Sequence, residues 1–490
     1  MALAQRGHAV QRAREFSRET SLHFRLPALL LPASLAGPAD TESLPEELAG
    51  IAVFLPNEET TTLAEAAAAE AARTDARRQE VESIQSEIND RVYAAYGFGP
   101  ADRAAIQQFY AAPSSSDEEE ADEDEEDDSL AAGSPADTAF ALWQWLMGAA
   151  FGRWDVRLAL HPEQLPAPAG PFEALPAAPP GALRRPGSGK LVTNPSELVS
   201  EQDAEMGVTT PDYAVPVAWD GLLPLDADHP HDIVRQLRLL LTTLRPGTAA
   251  ALETESRTLL ASPRADLTGW LSEWLAKGGA GGFFARHLAT YSRSKREAPL
   301  YWPLQAPGTS YVLWLYAPRL SRETLYAAIN DYLEPRRTRA RDELRQLTEL
   351  LGGPAPANAR EARQQEQRRE LLTQLVAGLT QFIDHLSGVL ENTGFQPHPD
   401  DGAVISACML AELFALPAWR RKLEQHRAKL HAGDYDWSHL AHGLYPQRVR
   451  EKARLDRSIA IAHGLEDLYE GPMTNLAGAA VEVEEEAENN

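Results

Sequence analysis

Cysteine is nearly missing from this sequence: Cys408 is the only one among 490 residues. That excludes a disulfide framework and a cysteine-rich zinc site. Long hydrophobic runs are missing too. The nearest, Leu26–Leu35, is short and contains Pro27 and Pro32, so it does not suit a membrane span. The first residues carry Arg6, Arg12, Arg14 and Arg18 without the order of a secretory signal. The expectation is a cytoplasmic protein with no membrane contact.

Catalytic patterns are equally scarce. Pro186-Gly187-Ser188-Gly189-Lys190 has the end of a phosphate loop, but Arg184 stands where glycine is needed and Leu191 where Ser or Thr would hold magnesium. The glycine clusters Gly278–Gly282 and Gly97-Phe98-Gly99 follow helical stretches rather than strands, so neither opens a dinucleotide or S-adenosylmethionine site. The nearest string to an Asn-Pro-Pro-aromatic methylation loop is Asn194-Pro195-Ser196-Glu197, without the second proline and the aromatic. There is no Gly-x-Ser-x-Gly elbow. His426, His431, His439, His442 and His463, with Asp434 and Asp436, fit no standard zinc spacing. Asp400-Asp401 precedes Gly402 and reads as a turn. No catalytic residue, metal ligand or cofactor is assigned to this chain.

What is abundant is helix-forming residues and acid. Net charge is −26, but eleven acidic residues sit in Asp117–Asp128 and five in Glu482–Glu488; without those sixteen the remainder carries −10. Such blocks read as solvated linkers or tails. Salt screens them from local basic clusters within about a nanometre.

The expected fold class is mainly α with a small β component, in several domains. Residues 1–57 read as an irregular connecting segment and 58–112 as helical, with Val81, Ile84, Ile88, Val92 and Tyr96 forming one apolar stripe. Residues 113–135 are an acidic linker. Residues 136–230 hold a tryptophan-rich helix, Phe140–Leu160 capped by Asp137, and a proline-rich loop unit. Residues 231–320 are three short helices, a glycine break, a fourth helix and a β-hairpin, Pro299–Leu304 with Ser310–Tyr316. Residues 321–392 form a helical hairpin whose first arm Pro335 should kink or divide. Residues 393–473 are a mixed unit with Asp400–Ala407 as a strand, and 474–490 an acidic tail.

One stretch carries positive chemistry. Tyr291–Tyr316 and its surroundings place Arg286, Arg293, Lys295 and Arg296 beside Tyr291 and Tyr301, and the next helix adds Arg336, Arg337 and Arg339. Arg and Lys neutralise phosphates with release of counterions. Aromatic rings stack on bases. Trp302 and Trp314 are expected mostly in the core.

Several strings resemble the C-terminal region of BREX and DISARM N6-adenine DNA methyltransferases of bacterial phage defence, and of their type IIG restriction–methylation relatives. They are RETSLHFRLPALL from Arg18, IQSEINDRVYAAYGF from Ile84, WLMGAAFGRWDVRLAL from Trp145, Tyr291–Tyr316, ETLYAAINDYLEPR from Glu323, DDGAVISACMLAELF from Asp400, and GDYDWSHLAHGLYPQRVREKARLDRSIAIAHGLE from Gly433. They run in order along nearly the whole chain. In that family a methyltransferase domain precedes this region; its cofactor loop and methylation motif are not found here. The resemblance therefore implies a DNA-recognition component of an adenine-methylating defence or restriction–modification system. It would bind double-stranded DNA, with catalysis and S-adenosylmethionine on a separate methyltransferase domain or subunit. Other phage-defence proteins are the further partners it implies. The rival expectation is an assembly scaffold or regulatory subunit of such a complex.

Overall fold

A computed structural model of the chain describes residues 2–31, 62–111, 133–166, 170, 172–174, 176–185, 189–199, 213, 215–261, 266, 268–293, 296–352, 359–392, 395–398, 401–432 and 443–470. The acidic block, the acidic tail, Lys295, His439 and His442 lie outside these residues, as does the centre of the phosphate-loop-like string. The chain forms two compact units, Met1–Arg319 and Leu320–Asn490. The architecture is mainly helical with a small antiparallel sheet.

In the first unit the segment expected to be irregular begins with a helix, α1 (Ala2–Arg14), which packs on α2 (Leu63–Tyr96). Thr62 and Glu65 form a capping box at the start of α2, and Gly97 ends it in the left-handed region at φ 69°. A short helix, α3 (Pro100–Ala111), follows.

The tryptophan-rich stretch is two helices rather than one: α4 (Pro135–Ala150) and α5 (Val156–Leu160). Ser134 is the N-cap of α4; Asp137 sits three residues in and closes a capping box, with its Oδ2 accepting from the Ser134 amide at 3.0 Å. Every residue from Leu142 to Ala150 is buried, so α4 is apolar all round and forms the axis of the unit. It packs against α2, α6 (Ile233–Leu244) and α7 (Ala249–Leu260). Helices α8 (Trp270–Ala276) and α9 (Phe283–Thr290) complete the shell.

The expected hairpin is present as β4 (Tyr301–Gln305) and β5 (Val312–Tyr316), paired with Trp302 opposite Leu315. A third strand, β1 (Leu222–Leu225), pairs with the other edge of β5, within the stretch expected to be loop. Both prolines of this sheet, Pro224 and Pro303, stand on the edge strands, where the missing N–H interrupts no ladder. β5 is buried along its whole length, so it reads as a continuous apolar run instead of alternating. Trp302 and Trp314 are both in the core, at 1% and 0% exposure.

In the second unit the first arm of the helical hairpin is divided near Pro335. It consists of α10 (Arg322–Ala327), a π-helical stretch over Ala328–Leu333, and α11 (Glu334–Leu351). Pro335 has no N–H to return to the carbonyl four residues earlier, and the wider π turn lies immediately before it. The second arm, α12 (Ala359–Asn392), packs on α11, and Arg368 reaches Glu343 at 2.7 Å. Leu372, Leu379, Phe382, Leu386 and Val389 supply its buried stripe. The expected strand near Asp400 is instead helix α13 (Ala403–Cys408). A short apolar run does not distinguish the two by periodicity. Helices α14 (Pro417–Ala432), α15 (Pro446–Leu455) and α16 (Arg457–Ala462) finish the unit.

Candidate nucleic-acid interface and the polar network beneath it

Between α9 and β4 the chain makes a two-stranded ribbon, β2 (Ser292–Arg293) and β3 (Arg296–Glu297), with Arg293 paired opposite Arg296. The ribbon brings two of the basic positions into register, and Lys295 lies between them in sequence. Its incoming foot is Tyr291, and its outgoing foot is Leu300–Tyr301. Both feet are held by one buried polar network.

Glu19 is the centre of that network. One carboxylate oxygen accepts from Arg153 Nη1 at 2.8 Å and from the Tyr291 hydroxyl at 2.9 Å; the other accepts from Gln144 Nε2 at 2.9 Å. Gln144 Oε1 faces His287 Nδ1 at 3.0 Å. His287 Nε2 accepts two backbone amides, Leu300 at 2.9 Å and Tyr301 at 3.2 Å. Because Nε2 is an acceptor twice over, the proton of the neutral ring must sit on Nδ1 and is donated to Gln144. Arg153 also donates to the Tyr291 hydroxyl and lies 4.2 Å over the Trp154 ring.

The electrostatics follow from burial. The His287 imidazole is held well below its usual range, first by burial and then by the Arg153 charge nearby. The Tyr291 and Tyr301 hydroxyls are pushed well above theirs, again chiefly by burial, with Glu19 adding to the shift. Burial alone would lower the Arg153 guanidinium, but the oxygens of Tyr291, Tyr301 and Glu19 overcome it and hold it charged. Phe151, Tyr301 and Tyr316 stack beside the network with ring centres 5.6–5.7 Å apart.

These observations sort the residues expected on DNA. Tyr301 has no exposed surface and belongs to the core, so it is not a stacking platform. Tyr291 is partly buried and its hydroxyl is engaged by Glu19 and Arg153, which makes it a root of the ribbon. Arg286 pairs with Asp137 at the start of α4 and covers the Phe140 ring. Arg293 and Arg296 stand on the ribbon itself. Arg336, Arg337 and Arg339 belong to the second unit. There Arg336 is buried, 3.8 Å from Glu343, Arg337 is paired with Glu334 at 2.6 Å, and Arg339 is partly buried.

Sequence reasoning passed over Glu19, Gln144, Arg153 and His287. The signal was a lone charge or amide inside an apolar stretch, as with Gln144 between Trp143 and Trp145. Glu19, Arg153, Tyr291 and Tyr301 come from three separate family-like strings, which this network joins.

Among the described residues no group of three His, Cys, Asp or Glu side chains is placed to hold a metal ion. The Cys408 thiol is buried and pushed up to about 12, so it is not a poised nucleophile. No helix is long and apolar enough to cross a membrane among the described residues. No family model matches this sequence, and no curated protein matches it.

Proposed function

We propose that the chain is a DNA-recognition component of an N6-adenine DNA methyltransferase in a phage-defence or restriction–modification system of the BREX or DISARM kind. The methyltransferase chemistry, with its S-adenosylmethionine, comes from a separate domain or subunit. The observation that carries this reading is the basic ribbon on a fixed footing. Two arginine positions stand opposite each other in the register of a two-stranded ribbon, and both feet of that ribbon are tied to a buried network. A β-ribbon is one of the few elements that enters the DNA major groove, and its arginines suit phosphate and guanine edges. Rigid support lets such contacts form without a large ordering cost.

The test is duplex binding measured against salt, for the wild type and for Arg293→Glu/Lys295→Glu/Arg296→Glu. The variant is expected to bind more weakly, with a salt slope shallower by about one unit for each phosphate no longer neutralised. Equal affinities would remove the ribbon from the interface. A neighbouring gene carrying the cofactor loop and the Asn-Pro-Pro-aromatic motif would supply the catalytic partner.

A second reading, an assembly scaffold within the same kind of complex, is favoured by one observation. Tyr96 at the end of α2 is 74% exposed and stacked on Phe98, and Phe109 near the end of α3 is 77% exposed. Exposed aromatics of this kind mark protein interfaces. Copurification from the native host after nuclease treatment separates the two: a scaffold retains its protein partners.

A further inference from the structure

The second unit contains a cavity of about 700 Å³, within the size range of small-molecule sites. Its floor is apolar and includes Val389, Met409, Leu444 and the ring of Tyr445. Two guanidiniums stand in its walls, Arg427 of α14 and Arg448 of α15. Arg448 Nη1 meets Glu451 at 2.9 Å, and Arg427 Nη2 meets Glu412 at 3.3 Å; both carboxylates are more than half exposed. Such solvated pairs are weak and yield readily to a better acceptor.

Two backbone features agree with the arginines. The first turn of α15 borders the cavity through Pro446, Gln447 and Arg448. It has no side-chain cap and no acidic residue, so the positive end of the helix favours an anion, while the Arg448 and Val449 amides are held by the Tyr445 carbonyl. On the opposite side Gly388 lines the cavity from inside α12, a helical position where glycine is disfavoured. Without a side chain there, that wall is left open.

We propose that this cavity binds a phosphate ester with a flat ring, of mononucleotide size. The phosphate sits on Arg448, Arg427 and the first turn of α15, and the ring covers the Leu444–Tyr445 floor. A bare phosphate would leave the apolar floor wet, and an uncharged ring would leave the guanidiniums on their solvated carboxylates and gain nothing from them. The site does not depend on the DNA-recognition reading, since it is built entirely from residues of the second unit.

The test is titration calorimetry on the full chain with adenosine monophosphate, adenosine, inorganic phosphate and a 5′-phosphorylated duplex. The nucleotide is expected to bind at least about tenfold tighter than adenosine or phosphate, because each lacks one half of the recognition. Arg448→Gln should weaken it by about tenfold or more. Gly388→Leu, which fills the cavity while improving helix propensity, should abolish binding without lowering the thermal melt. Nucleotide binding no tighter than that of phosphate overturns the proposal. So does binding that neither variant alters, or binding of the phosphorylated duplex alone.

Discussion

His287 has both ring nitrogens committed, one as donor to Gln144 and one as acceptor from the outgoing foot of the ribbon. A proton on Nε2 would face two amide hydrogens, and Arg153 would repel the charge. Its folded-state pKa lies below the unfolded value of about 6.5, so the unfolded chain takes up more protons as pH falls. The sign is therefore a loss of stability on acidification. This histidine's contribution is complete above about pH 6.5 and declines below it, by at most about 1.4 kcal/mol per pH unit. Denaturant titrations between pH 7 and pH 5 should show that component in the wild type and its absence in His287→Gln. Glu19 is the other pivotal residue. Its carboxylate is buried against Arg153, so Glu19→Gln leaves a guanidinium without its counter-charge, at a cost of about 3–5 kcal/mol by chemical denaturation. The same substitution should weaken DNA binding less at the phosphates than at the ribbon's register, so its salt slope should match the wild type while its affinity falls.

At the scale of elements, α4 is fixed by what presses against it. A methyl group at Gly148 would lie 2.4 Å from the Trp154 ring, and Trp154 itself has no exposed surface. Gly148→Ala is expected to destabilise the protein by about 1–3 kcal/mol despite alanine's better helix propensity, a sign that a melting curve reads directly. Helices were the most legible elements in the sequence because their breakers and periods are local: Gly97 ends α2 as expected, although the start expected at residue 58 lies ahead of the actual cap, Thr62. The hairpin was legible from its aromatic and branched residues around Pro307-Gly308. β1 was not, since Leu222–Leu225 contains a proline that reads as a breaker until its edge position is known. The break after α4 was hidden for the opposite reason: Phe151 and Trp154 continue the apolar run although the helix has ended. The buried network was illegible because its members are 134 residues apart in the case of Glu19 and Arg153, and no local pattern records such a pairing. The ribbon's charges were legible, but not which aromatics root it and which would be free to touch a ligand.

For the whole molecule, two compact units with separate cores predict two unfolding transitions by calorimetry. Glu19→Gln should lower only the one belonging to Met1–Arg319. A single transition shifted as a whole would show that the units unfold together. The π-helical stretch over Ala328–Leu333 bears on the molecule in a different way. It works as slack wound in ahead of a long rod, holding one residue more than a regular turn has room for. Removing one residue there would return the arm to regular winding and leave the faces of α11 nearly where they are, whereas removing one from a regular turn would swing everything downstream by about 100°. Arg336 would keep its buried position in the first case and lose it in the second. This one turn can therefore absorb a change of length that its neighbours cannot.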